Sequence, residues 1–227
     1  MESTDQDAGD QPLGPNAPSL LATEHWSLIA ARSLIWSEAQ SRATVFLTVL
    51  SAAGVTVALV ANDSGLGART TAVALVLLPM VFLIGVAAYV RLVQINAEEF
   101  LIVLAMNRLR RAYLTLEPGM APYLSTGSHD DERGLFVTYM AERPTGRSMQ
   151  LFLLVNTPTI IATIDSALAA AMVVLGAHAA DAPVWLGAVS AAAAFVVVWA
   201  ALFLIQAQTL RPLRQRVARF PTPPDRP

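Results

Sequence analysis

The sequence predicts an all-α protein: a four-transmembrane-helix bundle with cytoplasmic helical extensions. Three observations predict it, namely an apolar composition, its concentration into four runs, and the placement of arginine around those runs. Of the 227 residues, 55% are hydrophobic and only 14% charged, with a mean hydropathy of +0.51. An ordinary soluble chain carries about 25% charged residues. Residues 43–61, 71–90, 159–177 and 184–205 each reach the roughly 20 residues that cross a bilayer, and Asp165 is the one acid or arginine among them. Four helices apolar on every side exceed what a chain of this size can bury in a water-soluble core.

The elements follow in order. Residues 1–19 are acidic and rich in Pro, Gly, Ser and Asp, without the apolar core of a signal peptide, so a disordered tail is expected. Residues 20–40 contain no Gly or Pro and read as a helix running into the first span. Leu21, Leu28 and Ile35 repeat every seven, with Trp26, Ile29, Ser33 and Trp36 on an adjoining stripe. That helix suits a headgroup boundary or a subunit contact, or equally packing against the protein's own middle loop. The first span ends at the turn signal Asn62-Asp63-Ser64-Gly65. The second contains Pro79 and Gly85, which a membrane helix tolerates better than a soluble one. Residues 91–116 continue it as a helix until Glu117-Pro118-Gly119, giving a rod longer than about 60 Å.

In the middle loop, Ser128 or Asp130 is expected to cap a short helix whose first turn carries acids. The following GLFVTYM is ambiguous between helix and strand. Residues 151–155 read as interfacial turns, and Pro158 as a bend at the start of span three. Asp181-Ala182-Pro183 closes the last hairpin, and the C-terminal FPTPPDRP is expected to be unstructured. The division along the chain is thus a disordered acidic tail over 1–19, then an interfacial helix, spans one and two and a cytoplasmic helix over 20–116. A cytoplasmic loop over 117–150, spans three and four over 151–210, and a basic, proline-rich tail over 211–227 complete it.

Arginine sets the orientation, because arginine-rich segments stay on the cytoplasmic side. All fifteen basic residues are arginine, and the hairpins joining spans one to two and three to four hold only Arg69. Both termini and the middle loop are therefore expected in the cytoplasm of a plasma-membrane protein. Trp185 fits an outer interfacial anchor.

The inventory also bounds the chemistry. Without cysteine there is no disulfide, thiolate metal site or Cys nucleophile, and without lysine no P-loop lysine or Schiff base. His129, Asp130, Asp131 and Glu132 offer metal-type donors, but four adjacent residues do not converge on one ion, and HExxH and calcium-loop patterns are absent. No GxSxG or GxGxxG occurs, and the three histidines, His25, His129 and His178, are far apart. Neither catalysis, nor a cofactor, nor a metal is expected, and the arginines of 211–219 suit topology and anionic lipid better than nucleic acid.

The polar candidates are Asp165, Arg91, Glu98, Glu99, Asn107, Arg108 and Arg111. An acid inside a span is a functional-site hypothesis by default, and Asp165 lies about 9 Å along its span. Three readings fit it: an ion or proton site, a structural pair with Arg91 or hydrogen bonds to Thr48, Ser166 or Gln206, and a later span start that leaves it among headgroups. Glu98 and Glu99 lie too far from Arg108 for pairing on one helix, so their partners are expected on another helix or subunit. Gly54 and Ala58, 166–171, and Gly187, Ala188 and 190–194 form small-residue faces that serve intrachain packing or a homo-oligomer.

The runs SLIWSEAQSRATVFLTVLSAAGVTVALVA (33–61), RLVQINAEEFLIVLAMNRLRRAYL (91–114) and HDDERG (129–134) resemble a group of uncharacterised actinobacterial four-span integral membrane proteins. The resemblance covers most of residues 30–205 and implies an architecture and a compartment. In layout alone the chain is similar to membrane effector modules of bacterial nucleotide-signalling defence systems. The expected function is an oligomeric scaffold or interaction protein with the bilayer, its own copies and a cytoplasmic protein as partners. The alternative is a pore-type effector gated through its cytoplasmic helices, with a membrane enzyme or transporter third.

Overall fold

The structure is a computed structural model and describes residues 13–65, 67–140, 156–214 and 216–223. Among them there is no strand. The order is α1 (Ala17–Ser64), α2 (Ala68–Leu116), a 3-10 turn (Pro118–Tyr123), α3 (Glu132–Met140), α4 (Thr157–Ala179) and α5 (Val184–Arg214). The interfacial turns expected over 151–155 lie outside the described residues, as do residues 1–12 of the N-terminal tail.

Helices α1 and α2 run unbroken for 48 and 49 residues, because neither contains a stop signal between its polar and apolar parts. Pro79 sits inside α2 without ending it. Their turn uses Gly65 at φ 69°, in the left-handed region that favours glycine, and its carbonyl accepts the Thr70 hydroxyl at 2.6 Å. Helix α4 starts at Asn156, whose side chain accepts from the Thr159 amide at 2.9 Å. Pro158 lies in that first turn, where its missing N–H has no intrahelical role, so it begins the helix rather than bending it. Asp181 at φ 50° turns the chain between α4 and α5, which pack along each other.

The described residues divide into two compact units. One comprises residues within 1–34, 99–144 and 216–227, and the other residues within 35–98 and 145–215. In the second unit, all four long helices supply one core. Phe46 and Ala53 come from α1, and Val81, Ala88, Tyr89, Leu92 and Val93 from α2. Ile161, Ala162 and Leu168 come from α4 and Leu202 from α5. Outside that core the helices remain apolar. Val55, Leu59, Val76, Leu83, Val189, Val196 and Leu204 are all exposed. In the most apolar windows of α1 and α5 only 11% of residues are buried. Water would make so much exposed hydrocarbon prohibitive, whereas acyl chains solvate it.

Along α1, the heptad line of Leu21, Leu28 and Ile35 is half-buried, and the stripe of Trp26, Ile29, Ser33 and Trp36 is exposed. The segment GLFVTYM belongs to helix α3.

Candidate functional site

The second unit holds the intramembrane acid. Helix α4 buries Pro158, Thr159, Ile161, Ala162, Asp165, Ser166, Leu168 and Ala169, a stripe at three- and four-residue spacing. Asp165 sits in the middle of that stripe, at 0% exposure, where the pattern calls for an apolar side chain. Opposite it is Gly85 of α2. A Cβ at Gly85 would overlap Asp165 Oδ1 and fall 2.6 Å from both Cγ and Oδ2. The glycine is thus what admits the carboxyl group between the helices.

Each partner the sequence offered to Asp165 is engaged elsewhere. Thr48 donates to the Thr44 carbonyl at 2.8 Å and Ser166 to the Ala162 carbonyl at 2.7 Å. Gln206 lies 3.4 Å from the Tyr89 hydroxyl, which itself donates to the Leu202 carbonyl at 2.6 Å. Arg91 grips Glu38 through Nε and Nη2, both at 2.8 Å, and donates from Nη1 to Glu98 at 2.8 Å. The Arg91–Asp165 pair is therefore not formed, and among the described residues both Asp165 oxygens are without a hydrogen-bond partner.

The Arg91 cluster is a charged collar where the apolar run of α1 begins and that of α2 ends, and Arg42 adds an i,i+4 contact to Glu38 at 3.6 Å. Glu98 finds its partner on its own helix rather than on another. Positions seven apart share a face, and Arg91 lies two turns back. The hydrogen bonds from Arg91 hold the Glu38 carboxyl below the usual carboxylate range, against a smaller effect of burial.

The other unit is ordered by polar contacts. Arg32 on α1 donates from Nε and Nη2 to one oxygen of Glu99 on α2, at 3.1 and 2.9 Å, and its guanidinium lies 5.9 Å from the Tyr139 ring centre. Tyr113 donates to the Leu21 carbonyl at 3.1 Å and stacks on His25. Asn107, at 0% exposure, is the hub. Its Nδ2 donates to the carbonyls of His129 and Gly134 at 2.8 and 3.2 Å. Its Oδ1 accepts from Arg110 at 2.8 Å and from the Thr138 hydroxyl at 3.0 Å. Arg111 is exposed, its carbonyl taking the Thr115 hydroxyl.

The acids of the middle loop hold the C-terminal tail. Asp130 accepts the amides of Arg219 and Phe220 at 3.1 and 2.7 Å and the Arg108 Nε at 2.6 Å, and its own amide donates to the Phe220 carbonyl at 3.2 Å. Asp131 accepts the amide and hydroxyl of Thr222 at 2.6 and 2.8 Å. It also accepts the Gly134 amide at 2.7 Å and so caps α3. The cap is thus Asp131, not Ser128 or Asp130. The tail's described residues 216–223 are docked rather than unstructured, since unpaired amides find two carboxylates there.

Burial opposes ionisation of Asp130, but the Phe220 amide, Arg108 and the Arg219 amide together hold its carboxyl below its ordinary value of 3.8. Asp131 behaves likewise, with burial outweighed by the bonds from Thr222 and Gly134. A depressed folded-state value stabilises docking above that ordinary value, and the contribution is lost as pH falls through the lowered one. Proteolysis after residue 215 is therefore expected to stay slow at neutral pH and to accelerate only below about pH 4. A release midpoint near pH 6 would contradict this.

Sequence reasoning missed Gly85, Glu38 and the tail. Glycine in mid-span was a visible signal for the first. The others needed pairings across long stretches of chain. Among the described residues no group of three or more His, Cys, Asp or Glu is placed to hold a metal ion. Four helices are long and apolar enough to cross a membrane. The chain is a multi-pass membrane protein. Set against known protein families, curated proteins and solved structures, it matches none.

Proposed function

We propose that the protein is an oligomeric scaffold of the plasma membrane, not an enzyme, with both termini in the cytoplasm and a cytoplasmic protein as a further partner. The placement of arginine, with Arg69 alone in the two hairpins, supports the orientation. The observation that carries the oligomer is on α1. Gly54 and Ala58 are both exposed, and nothing lies within 4 Å of where a Gly54 side chain would begin. A small-xxx-small face that the described residues leave uncovered suits the close approach of a helix from another copy. The polar residues near the middle loop support the scaffold reading, because Asn107, Arg108, Asp130 and Asp131 are spent on holding the chain's own segments.

The test is the mass of the detergent-solubilised protein by native mass spectrometry. Wild type is expected as an oligomer, and Gly54→Leu with Ala58→Leu as a smaller species of unchanged thermal stability. A monomeric wild type, or an oligomer indifferent to both changes, would remove the reading. The effector alternative draws on the continuity of α1 and α2, through which movement of polar segments would reach the spans. Ligand-triggered leakage from dye-loaded liposomes would favour it over a scaffold.

A further inference from the structure

We propose that Asp165 is a proton-binding site, carrying its proton as a neutral acid while α2 and α4 are packed. The proposal stands on placement and does not depend on the oligomer. The carboxyl is fully buried on the core stripe of α4, both oxygens lack a partner among the described residues, and Gly85 is directly against it. An isolated carboxylate in such a place is many kcal/mol less favourable than the acid, so the group takes up a proton instead.

Competing ligands fit less well. A metal cation requires several oxygens around it, whereas Gly85 closes one side of the group and Ser166 and Tyr89 donate to backbone carbonyls. Among the described residues, the other spans offer no counter-charge. Residues 43–61 of α1 and 184–205 of α5 contain no titratable side chain, and 71–90 of α2 contain only Tyr89. On α4 the other titratable residue is His178, more than three turns away. Glu38, Arg42, Arg91 and Glu98 are engaged with one another in the collar.

The proton comes from water and returns to it, the O–H pair staying on the carboxylate. Once charged, that carboxylate no longer suits the niche at Gly85, so deprotonation loosens α2 from α4. The site thereby links proton uptake to bundle packing.

Infrared spectroscopy of the full-length protein in lipid nanodiscs tests this. At neutral pH a carboxylic-acid C=O stretch is expected in wild type and absent in Asp165→Asn, whose neutral amide keeps the size of the acid. Raising the pH should remove the band from wild type and speed amide exchange around Gly85, with neither change in the variant. If Asp165→Asn does not fold, Asp165→Glu should move the band to a new frequency. A wild type showing only carboxylate stretches at neutral pH, or an acid band indifferent to either substitution, would overturn the proposal.

Discussion

Replacing Gly85 by alanine is expected to destabilise the bundle by about 1–3 kcal/mol, the usual range for overpacking a filled core. The added methyl occupies the place of the Asp165 carboxyl, with Cγ only 2.6 Å away. A surface carboxylate would swing aside at little cost. Asp165 is fully buried and has no solvent to swing into, so either its rotamer or the α2–α4 spacing must give. The same substitution should be much milder in an Asp165→Ala background, where the carboxyl is gone. The coupling between the two sites, read from a double-mutant cycle of unfolding in mixed micelles, is expected at about 1–3 kcal/mol. Additive effects would mean that Gly85 and Asp165 do not share the niche.

Asn107→Ala should be the most damaging change near the middle loop, at about 3 kcal/mol or more. It removes four hydrogen bonds at once and leaves the carbonyls of His129 and Gly134 to find other partners. Gly134 has no room to rearrange, because a Cβ there would collide with the His129 backbone. The loss should spread to the tail, since Asp130 and Asp131 lie between those carbonyls and hold Arg219, Phe220 and Thr222. Faster proteolysis after residue 215 at neutral pH, together with a lowered melting temperature, would register both effects. A variant that melts lower but keeps its tail protected would separate the hub from the latch.

Much of the fold was legible because the bilayer imposes a length and a composition that survive without tertiary information. The four spans, the continuation of α2 to Leu116 and the oddity of Asp165 all follow from apolar runs and their interruptions. What was not legible depends on which faces meet. Asp165 was visible as an acid in a span, but its facing residue, Gly85, lies 80 positions earlier on a different helix. Arg91 looked like the natural counter-ion for Asp165. Glu38 and Glu98 compete for it just beyond the apolar runs of α1 and α2, where a charged pair is less costly than inside the core. The acids at 130 and 131 read as a helix start because capping is local, and Asp131 does cap α3. Their grip on residues about 90 positions later has no local signature.

In the proposed orientation both hairpins of the four-span protein lie outside and the middle loop inside. The chain contains no cysteine, so single cysteines can be placed without a background. Labelling of Ser64→Cys, Asp181→Cys and Ser125→Cys with a membrane-impermeant maleimide on intact cells tests this orientation. The first two are expected to label at once and the third only after lysis. Labelling of Ser125→Cys on intact cells, with Ser64→Cys and Asp181→Cys protected until lysis, would contradict it.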